Sequence, residues 1–256
     1  MSKIIAIANQ KGGVGKTTTA INLSVGLALN GKKVLVIDAD AQGSLTASLG
    51  LGEPNEMKYT LANIMVDVTE EKNIGKNGIL TSDEGVDVVP ANLNISSLEV
   101  QLVNVIGRES ILKQYVSSFG NEYDYIIIDC SPSLGIITVN ALACADSVLI
   151  PVQAAYLPIK GLQDLISTIG KVKRQLNPTL DFEGILITMV DNRTNYAKDI
   201  IKMLHDEYGQ HIRIFDTVIP RSVRQEESSA DGRSIYEYAK KSKVAQSYEA
   251  FVKEII

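Results

Sequence analysis

Near the start of the chain, Lys11-Gly12-Gly13-Val14-Gly15-Lys16-Thr17-Thr18 supplies the residue types needed to hold a polyphosphate. Glycines let backbone N–H groups turn inward and approach phosphate oxygens with no Cβ in the way. A helix opening near Lys16 aims its positive end, roughly half an elementary charge, at the same anion. In that arrangement Lys16 reaches the β- and γ-phosphates and the Thr17 hydroxyl ligates Mg²⁺. The usual pattern, GxxxxGK[ST], places its first glycine at position 10, where this chain has Gln10. A second cation, Lys11, stands next to it ahead of two glycines. Two readings of Lys11 stay open. It neutralises phosphate charge that one protomer leaves uncovered, or it is a solvated lysine.

Carboxylates follow at the ends of two apolar runs. Val34-Leu35-Val36-Ile37 leads into Asp38-Ala39-Asp40, and Tyr125-Ile126-Ile127-Ile128 leads into Asp129. Ligands of parallel α/β sheets sit beyond the carboxyl ends of the strands, which puts these acids on the phosphate side. Asp38 and Asp40, two apart, point the same way if the strand continues that far. Asp129 has the form of a Mg²⁺-holding acid, acting directly or through water. Taken singly, either run is equally a core strand capped by an Asp. Together, after a phosphate loop, they point to Mg-nucleotide chemistry. Ser131-Pro132-Ser133-Leu134-Gly135 is placed where a mobile γ-phosphate sensor belongs, although a plain strand-to-helix turn has the same form.

The elements that must position these groups are legible as alternating patterns. Short apolar runs give strands at Lys3 to Ala8, Lys33 to Ile37, Val86 to Val89, Tyr125 to Ile128, Ser147 to Ile150, Ile185 to Val190 and Asp216 to Ile219. Helical patterns cover Lys16 to Asn30, Leu134 to Cys144, Ile159 to Leu176 and Tyr196 to Tyr208. Gly31, Pro178 and Gly209 supply stops for three of them. The stretch from Val66 to Glu84 is polar and aperiodic and reads as a surface excursion. The expected architecture is α/β: a single P-loop NTPase domain over 1–256, its mostly parallel twisted sheet flanked by helices on both faces.

Composition narrows the function classes. At 256 residues and 45% hydrophobic content the chain can build one large core. A net charge of −5 argues against a dedicated nucleic-acid binder, so any DNA contact must come from a local patch. Cys130 and Cys144 form neither a disulfide framework nor a metal set and read as buried small hydrophobes in a reducing cytosol. His205 and His211 lack a third ligand nearby. No apolar run approaches the roughly 20 residues of a spanning helix, and the first is too short for a signal peptide. A cytoplasmic location is expected.

The loop KGGVGKTT, the acids of VLVIDADAQ and the run YDYIIIDCSPSLG resemble the deviant Walker A ATPases of the MinD/ParA superfamily. Within that group the chain is most similar to the ParA/Soj partition family, whose C-terminal signature TVIPRSVRQEESSADGRSI resembles. The resemblance runs from Lys3 to about Tyr248. It implies ATP and Mg²⁺ as cofactors, with Lys11 through Thr18 on the nucleotide and Lys11, Lys16 and Asp40 as the catalytic set. Lys11 would reach the partner's phosphates in an ATP-sandwich homodimer. Asp40 would orient or activate the attacking water. Asp38 and Asp129 would support Mg²⁺ through its water shell, with Thr17 on the metal. Pro220, Arg221 and Ser222 would line the adenine site, together with Asn192. Arg193 and Arg224 would contact DNA phosphates without reading sequence, giving a nucleoid-associated dimer. A ParB-type centromere-binding protein would accelerate slow hydrolysis and so drive chromosome or plasmid segregation.

Departures from the family pattern fall at Ala41, Ser131 and Ser222, where Pro, Pro and Asn are common. They leave the phosphate loop intact and touch the switch loop and the adenine site. No segment ahead of Lys3 provides a helix-turn-helix, so operator reading is not expected. Two other readings compete. A MinD-like, membrane-associated division ATPase would end in a basic amphipathic helix. Here Val244, Tyr248, Phe251, Val252, Ile255 and Ile256 make an apolar stripe with mixed charges beside it, which suits packing on the domain. An iron-sulfur reductase would need placed cysteines, and Cys130 is expected to point into the core.

Overall fold

Isoleucine- and valine-rich runs without polar alternation need cover on both faces, and here they find it in one eight-stranded sheet. The computed structural model describes residues 2–154, 156–191 and 194–256, with 156–160 and 195 as backbone. The strands are β1 (Lys3–Ile7), β2 (Val34–Ala39), β3 (Leu80–Thr81), β4 (Asp87–Val89), β5 (Tyr125–Cys130), β6 (Ser147–Gln153), β7 (Asp181–Val190) and β8 (Ile214–Pro220). Their order is β3-β4-β2-β5-β1-β6-β7-β8. Only the β3–β4 pair is antiparallel.

The helices in the first half are α1 (Lys16–Leu29), α2 (Ser44–Ser48), α3 (Leu61–Thr69), α4 (Asn94–Gln101) and α5 (Ile111–Ser117). Those in the second half are α6 (Ile136–Cys144), α7 (Tyr156–Gln175), α8 (Asn195–Tyr208), α9 (Val223–Ala230), α10 (Ile235–Tyr238) and α11 (Lys243–Ile255). Helices α1, α2, α10 and α11 cover the face that carries Ile5, Ile7, Val34, Val36 and Ile127. Helices α3 to α8 cover the face that carries Ala6, Leu35, Ile37, Ile126 and Ile128. Asp38 follows the parity of Val34 and Val36, and Asp129 that of Ile127. Both acids therefore lie on the α1 side.

Strands β1 and β5 are neighbours whose onward connections leave in opposite directions. From β1 the chain crosses to β2 through α1; from β5 it crosses to β6 through α6, on the other face. Such a reversal opens a crevice beyond the carboxyl ends of the two strands. The loop of residues 8–15 and the acid Asp129 sit at that crevice.

All seven strands and all four helices expected from pattern are present, with several strands running longer. β6 continues through Pro151 to Gln153. That proline is tolerated because β1 pairs with β6 only as far as Leu149, so no ladder donor is needed there. The excursion at Val66 to Glu84 is a correction. Its first four residues end α3, whose Leu61, Ala62, Ile64 and Met65 are buried, and its exposed Leu80–Thr81 forms the edge strand β3. The apolar stripe in the last helix is buried at Val244, Tyr248, Phe251, Val252 and Ile255, with Ile256 exposed. Phe251 meets Phe215 edge-on at 4.9 Å. Cys130 and Cys144 are both buried and free. Among the described residues no helix is long and apolar enough to cross a membrane, and no group of three or more His, Cys, Asp or Glu residues could by itself hold a metal ion.

Candidate functional site

The turn from β1 into α1 is built to leave donors free. Gly15 caps α1 with φ 87° and no side chain satisfies the helix N-terminus, while the first turn contains no acid. The leading N–H groups and the helix dipole thus face the crevice unopposed. Gly13 also holds a left-handed φ of 72°. Gly12 does not, yet a Cβ there would meet nothing within 4 Å. Neither backbone strain nor packing requires glycine at 12; close approach of a ligand is the remaining physical reason.

Two distant residues hold the loop in place. Asn9, 3% exposed, donates to the Pro151 carbonyl at 2.8 Å and accepts from the Lys11 N–H at 3.0 Å. Thr188 on β7 donates to the Val14 carbonyl at 2.8 Å. Within the loop, Lys16 Nζ donates to the Lys11 carbonyl at 3.2 Å. Burial lowers the Lys16 pKa, opposed by the charges of Asp129 and Asp40. Lys11 is half-buried, and its own side chain makes no described hydrogen bond or ion pair.

Asp38 and Asp129 are register partners on β2 and β5, side by side on one face of the sheet. Their surroundings differ. Asp38 Oδ2 accepts from Thr46 N–H at 3.0 Å and from the Thr46 hydroxyl at 2.7 Å, and Oδ1 accepts from Asp40 N–H at 3.2 Å. Burial still pushes its pKa up to about 6. Asp129 is 1% exposed and neither carboxylate oxygen has a hydrogen-bond partner. Burial and then the Asp38 charge push its pKa well above the usual carboxylate range, against the pull of Thr17 and Lys16. Two buried acids, one of them with no well-formed hydrogen bond and only the Thr17 hydroxyl drawing on it, fit a hydrated divalent cation. Asp40 lies one residue past the end of β2, half-exposed, with Oδ1 accepting from Gln42 N–H at 3.1 Å.

Pro220, Arg221 and Ser222 line a cavity of about 330 Å³ that opens beside the loop at Gly15 and Thr18. Met189, Ile219 and Tyr248 give it apolar walls; Gln153, Thr188 and Gln225 add polar edges. Met189 holds a left-handed φ of 54°, a strained backbone for a non-glycine residue. Of the residues in this paragraph the sequence pointed only to the Pro220–Ser222 stretch and the loop itself.

In the loop after β5, the Gly135 N–H donates to Ser133 Oγ at 3.0 Å, and Thr138 bonds the Ser133 carbonyl at 2.6 Å. Ser133 is exposed, and the segment lies next to Asp129 as its spacing demanded. Arg224, in the first turn of α9, is exposed and makes no described ion pair, unlike Arg213 and Arg233. Asn192 and Arg193 lie outside the described residues.

Comparison with known proteins adds a second line of information. Residues 2–182 match a family model described as an AAA domain. The sporulation initiation inhibitor protein Soj of Bacillus subtilis is 43% identical over 255 residues, covering 100% of this chain and 98% of Soj. The chromosome partitioning protein ParA of Myxococcus xanthus is 42% identical, covering 100% of this chain and 88% of that protein. Among solved structures, a cobyrinic acid a,c-diamide synthase from Mycobacterium smegmatis with bound ADP and magnesium superimposes with a TM-score of 0.85 at 33% identity. That match covers 99% of this chain and 93% of the other.

Proposed function

This chain belongs to the ParA/Soj family of P-loop ATPases, and from that premise we propose that it is a Mg·ATP-dependent switch for DNA partition. The observation that carries the reading is the unpartnered Asp129 carboxylate beside Asp38, at the mouth of an uncapped helix that Lys16 overhangs. The synthase name of the Mycobacterium structure accompanies the same ADP–magnesium chemistry. Partition is favoured because Soj and ParA match at higher identity, 43% and 42% against 33% for the synthase.

Bound Mg·ATP supplies the γ-phosphoryl group for hydrolysis and a divalent charge that answers the paired acids. The chain's own residues then divide the work. Backbone N–H groups of Gly12 to Thr18 would cradle the phosphates, and Lys16, which donates to the Lys11 carbonyl, would turn to phosphate oxygens. The Thr17 hydroxyl would ligate the metal ion, and Asp38 and Asp129 would hold it through water. Asp40, free of strong partners, orients the attacking water. Pro220, Arg221 and Ser222 border the adenine cavity, with Asn192 proposed from family resemblance alone.

In this reading Lys11 extends toward a second protomer; what supports it is a side chain with no partner among the described residues, in a loop that already has Lys16. ATP therefore closes a homodimer, and hydrolysis opens it. Arg224 and Arg193 give the closed dimer a basic surface for non-specific DNA, on an otherwise acidic chain. A ParB-type partner accelerates hydrolysis, and the dimer resides on the nucleoid. The single domain spans 1–256. Burial of the α11 stripe counts against the MinD-like membrane reading.

The test is salt-dependent binding of Asp40→Ala protein to unrelated DNA with Mg·ATP and with Mg·ADP. Affinity with ATP that falls steeply with salt, and weak binding with ADP, are expected. Equal affinity in the two nucleotide states would sink the switch reading.

A further inference from the structure

Helix α9 is poorly anchored by apolar contact. Its sequence is VRQEESSA, Val223 is exposed, and Ser228 is its sole buried residue. Hydrophobic burial, the usual source of helical stability in a folded protein, is nearly absent here. The position of α9 therefore rests on polar ties and on whatever fills the space beneath it.

The buried tie runs to the phosphate-binding helix. Asn22, fully buried in α1, donates through Nδ2 to the Thr18 carbonyl at 2.8 Å and to Gln225 Oε1 at 3.1 Å. Its Oδ1 accepts from the Ile235 N–H at 3.0 Å. Gln225 Nε2 in turn donates to Ser228 Oγ at 3.0 Å. Among the described residues the other side-chain tie from α9 to a neighbouring element, Tyr238 to Glu227 at 3.2 Å, is exposed. Ser222, Gln225, Glu226 and Ser229 recur at helical spacing, and all four line the cavity beside the phosphate loop. Arg224 lies off that face and is exposed.

Helix α9 is thus a cavity wall on one side and a cation bearer on the other. One hydrogen bond joins it to the helix that opens the phosphate loop. We propose that the Asn22–Gln225 bond is a joint that locks α9, with Arg224, to α1 once a nucleobase fills the cavity. Gln225 is a positioning residue in this scheme: it acts on Arg224 through the helix. The proposal rests on the nucleotide reading of the site, and it extends that reading by making the base, as distinct from the phosphates, the part of the ligand that orders α9.

Hydrogen exchange on the full chain tests it, with Mg·ADP and Mg·tripolyphosphate as probes and Gln225→Leu and Gln225→Glu as variants. In the wild type, Mg·ADP should slow exchange in 223–230 by about tenfold, while tripolyphosphate protects 11–18 and leaves α9 unchanged. At saturating Mg·ADP, confirmed by full protection of 11–18, Gln225→Leu should lose protection in α9 although the base still occupies the cavity that Gln225 edges. Gln225→Glu, whose carboxylate still accepts from Asn22, should restore it. Equal ADP protection of α9 in Gln225→Leu overturns the joint, as does equal protection by tripolyphosphate. Failure of ADP to protect 11–18 in the wild type overturns the nucleotide reading itself.

Discussion

The ammonium of Lys16 donates to the carbonyl of Lys11 across the loop that the two lysines bracket, at 3.2 Å. The loop's buried cation is thus satisfied by its own backbone, and a phosphate must take it over. One lysine turns inward and the other has no side-chain partner among the described residues, which separates their consequences on substitution.

Lys16→Ala removes the inward cation and leaves the loop's glycine geometry unchanged. A charge-assisted bond to phosphate is among the stronger hydrogen bonds, so ATP affinity should fall by about 100-fold or more. Isothermal titration with Mg·ATP measures this. Affinity within a few-fold of wild type would remove Lys16 from the site.

Asp40→Ala should behave differently. The Asp40 side chain is half-exposed and its one described hydrogen bond goes to Gln42, so its loss should leave folding and ATP binding close to normal. Single-turnover hydrolysis should slow by about 100-fold, the range expected for a positioned base. A hydrolysis rate within a few-fold of wild type would exclude that role.

Asp129→Asn should stabilise the nucleotide-free protein. Neither Asp129 oxygen has a well-formed hydrogen bond, so the substitution removes the cost of burying or protonating a carboxylate and breaks no such bond. A gain of about 1–3 kcal/mol is expected, with about 2–4 °C in Tm for each kcal/mol. Magnesium-dependent hydrolysis should be lost at the same time. A lowered Tm would mean that Asp129 has partners in the folded state.

The same pair of acids sets a pH dependence. Asp38 has its folded pKa raised to about 6 from 3.8, so the folded state holds a proton that the unfolded chain releases. Below the unfolded value both states are protonated and there is no cost. As pH rises from there through 6 the apo protein loses stability, by about 3 kcal/mol from Asp38 alone at 1.36 kcal/mol per unit. Asp129, raised in the same direction, extends the loss to higher pH. Urea midpoints of apo protein should therefore fall from pH 5 to 7.5, and Mg·ATP should reverse much of the loss. A midpoint that rises over this interval would contradict the burial argument.

Arg224→Glu should weaken non-specific DNA binding and lower the salt slope by about 1 or more per protomer. Filter binding across a salt series reads it out. Because Arg224 is exposed and makes no ion pair among the described residues, Tm should not change.

Local pattern carried the loop and most of the sheet. KGGVGKTT after an apolar strand, and two apolar runs ending in Asp, are contiguous signals that a reader can weigh without tertiary contacts. What pattern could not reach is set by distance along the chain. Asn9 meets Pro151 over 142 residues, Thr188 meets Val14 over 174, and Gln225 meets Asn22 over 203. An Asn, a Thr and a Gln carry no local mark of such pairings. Asp38 and Asp129 looked alike as strand-end acids, and only the fold shows one bonded by Thr46 and the other unpartnered. Leu80–Thr81 was missed because two residues carry no periodicity, and its partner β4 decides its state.

The claim that nucleotide occupancy decides whether two copies pair is tested most directly by the mass in solution of wild-type and Lys11→Ala protein, by light scattering with a slowly hydrolysed Mg·ATP analogue and with Mg·ADP. The wild type should shift from one chain with ADP to two with the analogue. Lys11→Ala should bind the analogue within a few-fold of wild type and stay at one chain. Wild-type protein that binds the analogue and remains at one chain, or Lys11→Ala protein that pairs as the wild type does, would contradict it.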